Sequence, residues 1–358
     1  MMPIFQTSTY AQESPAKHKG YEYSRTHNPT RQALERNLAA LENARFGFCF
    51  ASGCAATSMI MMGLNPSDHI IAMDDLYGGT RRLFSKVFER FGLEFSFVDL
   101  SDEALEKHIK ANTKMVWLES PSNPLLKLVD IPKIANLCKA KNILLVVDNT
   151  FATPALQNPI DLGADLVVHS TTKYIGGHSD VVGGAILTNN DQWAEKIAFL
   201  SNSVGAIPAP WDCFLVLRGV KTLHLRMKRH SENASIIAKS LGLNKHISQV
   251  YFPGLEDSPQ FDLMKKQMRG PSGMVSFVVK GGEAEARKIC ERTQLFTCAE
   301  SLGGVESLIE HPASMTHASI PKEQRKLIGI DDGLVRLSVG IECPHDLWHD
   351  LQQAIESC

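Results

Sequence analysis

Apolar and polar positions alternate in blocks along this chain. Short apolar runs rich in β-favouring residues occupy positions 70–73, 95–98, 115–118, 143–147 and 166–168. Between them lie stretches with helical spacing, 79–91, 102–109 and 131–140. Strand and helix repeated in this order predict an α/β fold with a mostly parallel sheet covered on both faces. Ahead of this block, Leu34, Leu38 and Leu41 recur at three- and four-residue spacing behind Pro29. That pattern predicts a helix starting at Pro29 and stopping at Gly47. Residues 1–22 show neither period and read as an extended arm. Beyond Arg218-Gly219 a long helical pattern at 223–241 precedes two further strand candidates, 274–279 and 334–339. The expected organisation is an arm (1–22), a large domain (23–218) and a smaller C-terminal α/β domain (219–358).

Composition narrows the class of partner. The chain has 358 residues of which 44% are hydrophobic, enough for a substantial core and for two domains. Thirty-seven Lys plus Arg against 39 Asp plus Glu give a formal charge of -2. No global field is available to hold nucleic acid or an acidic membrane surface, so any anion site must be local. The eight cysteines show no CxxC pair and no zinc-ligand spacing, which predicts reduced thiols and a cytoplasmic chain. No apolar run approaches the roughly 20 residues that cross a bilayer, and no signal pattern opens the chain.

In doubly covered parallel sheets the ligand lies beyond the carboxyl ends of the strands, so the residues after each apolar run are the candidate chemistry. They are Asp74-Asp75-Leu76-Tyr77-Gly78-Gly79, Glu119-Ser120-Pro121-Ser122-Asn123-Pro124, Asp148-Asn149-Thr150 and Ser170-Thr171-Thr172-Lys173. Lys173 by itself reads as a surface cation, a phosphate ligand, or an amine able to form a Schiff base. Ser170 and Thr172 place hydroxyls on either side of it, which suits an anion held next to a carbonyl carbon. Pyridoxal phosphate combines such an aldehyde and phosphate with a ring nitrogen that needs an acid partner. Asp148, at the end of the preceding strand, is that acid or a helix-capping residue.

Ala51-Ser52-Gly53-Cys54-Ala55-Ala56-Thr57 is a small-residue turn opening a helix; its amides either cradle a phosphate or simply let helix and sheet pack. Tyr77, ahead of two glycines, is a ring lying over a cofactor plane or a buried aromatic handle. Arg336, inside an apolar strand, demands an anion, either a substrate carboxylate or an internal salt bridge. His345 and His349 have helical i,i+4 spacing but lack the metalloprotease pattern, and His311 and His317 read as structural, so no metal site is expected.

Several longer stretches carry a resemblance. They are Tyr21-Glu22-Tyr23-Ser24-Arg25 with Asn28-Pro29-Thr30, Phe50-Ala51-Ser52-Gly53, Met73 through Gly79, and Val146 through Phe151. The segment around Lys173, Ala299 through Gly304, and Arg336-Leu337-Ser338 complete the set. In this order they resemble, along nearly the whole chain, the pyridoxal-phosphate-dependent enzymes of cysteine and methionine metabolism. The resemblance implies a fold-type I transferase-like architecture. Lys173 would be the Schiff-base lysine, Asp148 the partner of the ring nitrogen and Tyr77 the stacking ring. Gly53, Cys54, Ser170 and Thr172 would hold the phosphate, with Tyr23 and Arg25 reaching the phosphate of a neighbouring subunit in a homotetramer built as a dimer of dimers. Asn123, Ser301 and Arg336 would take the substrate carboxylate.

Glu300 is acidic where methionine γ-lyases look apolar, and Gly79 stands where they carry cysteine. The stretch from Ala299 to Leu302 also differs from bacterial cystathionine β-lyases. The implied reaction is γ-elimination of L-cystathionine to L-cysteine, 2-oxobutyrate and ammonia, with hydrogen sulfide release from cysteine as a side reaction. The runner-up is γ-replacement of an activated homoserine by cysteine. An alternative of another class is a non-catalytic protein that keeps the fold. Two departures stand out: family members carry residues ahead of the Pro-Ile that is here Pro3-Ile4, and Cys54 occupies a position often filled by leucine.

Overall fold

The computed structural model describes residues 2–100, 105–318 and 320–357. Seven strands form one sheet: β1 (Phe46–Phe50), β2 (His69–Met73), β3 (Glu94–Val98), β4 (Thr113–Glu119), β5 (Leu144–Asp148), β6 (Leu166–Ser170) and β7 (Gly184–Thr188). Their order is β1-β7-β6-β5-β4-β2-β3. The pairs from β6 across to β3 are parallel, whereas β7 runs antiparallel to both β6 and β1. The mostly parallel α/β sheet expected from the alternating pattern is therefore present. Its central strands are apolar on both faces, as burial from two sides requires; Ile70, Ile71, Met115, Val116, Val146, Val147 and Leu166 are all inaccessible to solvent. Each such side chain contributes roughly 1.5–3 kcal/mol by leaving water.

Five further strands form a second sheet: β8 (Ile247–Tyr251), β9 (Met274–Val279), β10 (Thr297–Cys298), β11 (Leu308–Glu310) and β12 (Leu334–Ser338), in the order β10-β11-β12-β9-β8. A cluster including Phe151, Tyr174, Met227, Met274 and Leu302 packs segments belonging to the two sheets together. Tyr174, directly after Lys173, is fully buried, so the lysine's main chain is anchored in the core.

Helix α1 (Pro29–Leu41) begins where expected, with Pro29 at its first position and Asn28 as its cap. It ends at Leu41, not at Gly47, and Gly47 lies in β1. A Cβ at Gly47 would sit 2.4 Å from the carbonyl oxygen of Glu35, so this glycine permits the helix to pack against the strand rather than stopping the helix. The helical pattern at 79–91 resolves into α-helix Gly78–Lys86 and a 3-10 turn at Phe88–Phe91. Of the pattern at 102–109, residues 105–108 are helical and 102–104 lie outside the described residues. β1 and β7 were not anticipated, because each is a short run interrupted or flanked by glycine. Among the described residues no helix is long and apolar enough to cross a membrane.

Candidate active site

The carboxyl ends of β4, β5 and β6 open into a cavity of about 290 Å³, closed on the other side by Arg336 of the second sheet and by residues 300–302 and 316 of its loops. Glu119, Asp148 and Ser170 stand at those three strand ends and line it, as parallel register dictates. Helix α2 (Gly53–Met62) points its amino end into the same space. Its cap Ser52 accepts the Ala55 N–H at 3.0 Å. Gly53 and Cys54 therefore bring their free first-turn amides to the wall beside Ser170. The Thr172 hydroxyl is tied to Gly183, 3.0 Å from its N–H and 3.2 Å from its carbonyl oxygen, and also lines the cavity.

Lys173 donates from Nζ to Ser301 Oγ at 2.8 Å. Burial, followed by repulsion from Arg336, lowers its pKa to about 8. The neutral, nucleophilic amine is the dominant form only above that pH. Capture of pyridoxal phosphate by the cofactor-free protein is therefore expected to speed up about tenfold per pH unit below pH 8 and to level off above it. Stopped-flow absorbance measures this directly. A rate still climbing near pH ~10 would return the amine to the ordinary lysine range.

Asp148 accepts the Thr150 N–H at 3.0 Å and pairs with no protein cation among the described residues. Burial pushes its pKa up, outweighing the Thr150 hydrogen bonds and the pull of His169, which lower it. Glu119, its neighbour across β4–β5, is raised well above the usual range by burial and by repulsion from Asp148, and its Oε2 accepts the Tyr77 N–H at 3.0 Å. Tyr77 is 40% exposed at the cavity and its phenol is pushed up by burial. A Cβ at Gly79 would meet the Tyr77 ring at 2.3 Å, so the glycine is what allows the ring to fold over the start of the helix.

Arg336 is 2% exposed and reaches across from β12. Nη1 donates to Asn123 Oδ1 at 2.8 Å and Nη2 to the Ser301 carbonyl oxygen at 3.0 Å. Nη2 also lies 3.0 Å from Glu310 Oε2, the cross-strand position on β11. The internal salt bridge weighed from sequence is thus made, yet Nε remains buried without a partner beside the cavity. Ser301 is held at φ 101°, a sparsely populated backbone state that a serine adopts only when its surroundings enforce it. Glu300 and Thr316 also line the cavity.

The cavity thus gathers Lys173, Asp148, Tyr77, Gly53, Cys54, Ser170, Thr172, Asn123, Ser301, Glu300 and Arg336. Tyr23 and Arg25 are not among its lining residues. They lie on an exposed turn, with the Arg25 guanidinium 5.5 Å from the Tyr23 ring centroid. Glu119 and Thr150 stand in the strand-end loops read as candidate chemistry but carry no individual role in the sequence reading, and neither do Glu310 and Thr316. His345 and His349 are exposed. His311 bonds Ser314 Oγ and the Asp332 carbonyl oxygen, and His317, pushed down to about 4 by burial, bonds Thr316. Among the described residues no group of three or more acids, histidines or cysteines is placed to hold a metal ion.

The donor set fits pyridoxal phosphate: a half-buried acid with no salt bridge among the described residues, a poised amine, and helix-start amides beside two hydroxyls. Bound there, the cofactor supplies an aldehyde that bonds an amine and a ring that accepts the electrons released at Cα. An α/β sheet with this constellation at its carboxyl edge defines a pyridoxal-phosphate-dependent enzyme of fold type I. The chain belongs to the family described as Cys/Met metabolism PLP-dependent enzyme, whose profile matches residues 1–356.

It is 56% identical to a cystathionine beta-lyase from Coxiella burnetii, over 99% of this chain and 92% of that protein. It is 51% identical to a cystathionine gamma-lyase from Dictyostelium discoideum, over 100% and 93%. A solved cystathionine gamma synthase from Xanthomonas oryzae, in complex with aminoacrylate and cysteine, superposes with a TM-score of 0.96 at 43% identity, covering 99% and 92%. Identity by itself does not separate the three reactions.

Proposed function

We propose that this chain catalyses γ-elimination of L-cystathionine, yielding L-cysteine, 2-oxobutyrate and ammonia. The observation that carries the reading is Lys173, a half-buried amine whose pKa is lowered to about 8, hydrogen-bonded to Ser301 in a cavity also lined by Glu300 and Arg336. Leaving from Cγ requires protons to move at both Cα and Cβ, so the base must take up and return a proton readily near neutral pH, as this lysine can. Asp148 offsets positive charge on the ring nitrogen, Tyr77 stacks, and Gly53, Cys54, Ser170 and Thr172 hold the phosphate. Asn123, Ser301 and Arg336 take the α-carboxylate. Glu300 and Tyr77 face the distal end of the substrate, where an acid suits an ammonium.

Tyr23 and Arg25 act on the phosphate of a second copy of the chain, so the site is shared across a dimer; by family resemblance two such dimers form a homotetramer, working in the cytoplasm. The free cysteines among the described residues are consistent with that compartment. Hydrogen sulfide release from cysteine is a side reaction. The second reading is γ-replacement of an activated homoserine by cysteine, supported by the likeness to the Xanthomonas synthase.

Products decide among these. Incubation with cystathionine is expected to give 2-oxobutyrate as the main keto acid, faster than cystathionine forms from activated homoserine and cysteine. Pyruvate as the main product would replace γ- with β-cleavage. Faster synthesis than cleavage would favour the second reading, and a colourless protein that cannot take up the cofactor would remove the enzyme reading.

A further inference from the structure

The sequence Asn28-Pro29-Thr30-Arg31 opens α1 outside the cavity, and the proposed reaction leaves it without a role. Its polar side chains are nevertheless buried and engaged. Asn28 Oδ1 accepts the N–H groups of Thr30 at 2.9 Å and Arg31 at 3.3 Å, while Nδ2 donates to the Phe5 carbonyl oxygen at 2.9 Å and to Ser24 Oγ at 3.2 Å. Thr30 Oγ1 donates to the Pro3 carbonyl oxygen and accepts the Phe5 N–H, each at 2.9 Å. Arg31 is 4% exposed. Its Nη1 donates to the carbonyl oxygen of Ser24 at 2.7 Å, and its Nη2 to those of Arg25 at 3.1 Å and Thr26 at 2.9 Å. On its other edge, Nε lies 3.4 Å from Glu35 Oε1.

Three successive carbonyl groups turned onto one guanidinium leave the main chain of this turn little freedom, and only a planar fork of donors can serve all three. With the carbonyl groups drawn inward, the side chains on either side face out. Tyr23 is 46% exposed and Arg25 is exposed, with its guanidinium set over the Tyr23 ring. A terminal arm is ordinarily poorly ordered unless tied down, and here the first turn of α1 ties it.

We propose that Arg31 is the positioning residue of this turn: its guanidinium holds the main chain of residues 24–26 so that Tyr23 and Arg25 are presented, already ordered, to a phosphate bound in a second copy of the chain. This rests on the reading that Tyr23 and Arg25 act in trans. It also gives the Asn28-to-Arg31 motif a single purpose, to cap a helix with one set of atoms and mould the arm with another. Ordering the turn before a partner arrives removes that cost from assembly and cofactor binding.

The test pairs two readouts on the full chain. Pyridoxal phosphate affinity is measured by absorbance titration, and amide hydrogen exchange is followed by mass spectrometry across residues 22–28. Arg31→Met is expected to weaken cofactor affinity about tenfold or more, as loss of charge-assisted hydrogen bonds predicts. Exchange across the turn should accelerate at least about tenfold while β5 stays protected. In a Tyr23→Phe, Arg25→Ala background the same change should weaken affinity less than about twofold further, because Arg31 acts through those two residues. Unchanged exchange in the turn, or additive losses of affinity, would overturn the proposal. If Tyr23→Phe and Arg25→Ala leave affinity untouched, the trans reading fails, and with it the purpose proposed for Arg31; exchange then reports only whether the clamp orders the turn. Should Arg31→Met not fold, Arg31→Lys keeps the charge but cannot span three carbonyl groups. It is expected to show part of both effects, and wild-type values would count against the proposal.

Discussion

Lys173→Ala is expected to lower turnover by roughly 10⁴-fold, the upper end of what a positioned acid–base group contributes. The loss should be chemical, not structural. Lys173 stands on a main chain fixed by the buried Tyr174, and among the described residues its Nζ makes one hydrogen bond, to Ser301 Oγ. Its depressed pKa means the unfolded chain binds more protons than the folded one between about pH 8 and the ordinary lysine range. In the cofactor-free protein that lysine therefore opposes folding at neutral pH, and its contribution to stability improves as pH rises through that window. The alanine variant should unfold no more easily than the parent at pH ~7, judged by denaturant titration. Borohydride treatment of the parent should fix the cofactor on Lys173, seen as a mass shift on the peptide containing it. A variant retaining substantial activity, or a label on another lysine, would remove Lys173 from the chemistry.

Arg336→Met should be the most costly single change in the second sheet. It removes the proposed carboxylate ligand and strands Glu310, which is 1% exposed and has Arg336 as its ion-pair partner. Breaking a buried pair from one side costs about 3–5 kcal/mol. Part of this is recoverable because burial already raises the Glu310 pKa, so the acid can take up a proton. Substrate binding should weaken by roughly 10- to 100-fold, as the loss of a charge-assisted hydrogen bond predicts. The double variant Arg336→Met, Glu310→Gln separates the two effects: stability should return toward that of the parent while KM for cystathionine stays high. Recovery of KM along with stability would show that Arg336 serves the fold alone.

Much of the site was legible because the topology of parallel sheets decides where to look. Asp148, Ser170, Lys173 and Tyr77 all follow apolar runs, and the sheet brings them to one edge. Glu119 stood in the same set of loops but gave no separate signal, since its importance depends on Asp148 standing beside it across two strands. Glu310 lies on a three-residue strand, too short for any period to register. The turn carrying Tyr23 and Arg25 was visible only through family resemblance, and its clamp was not visible at all. The acceptors of Arg31 are main-chain carbonyl groups, which have no signature in side-chain sequence. β1 and β7 carry only short runs interrupted or flanked by glycine, and pairing sets them in the sheet: β1 against β7, and β7 against β6 as well.

The residues around the cavity divide by sheet. Gly53, Asp148, Ser170 and Lys173 come from the first sheet and its loops, whereas Glu300, Ser301 and Arg336 come from the second. The Asn123–Arg336 hydrogen bond is a seam between the two groups. Because both groups wall one cavity, its shape depends on how the two sheets are held against each other across that bond.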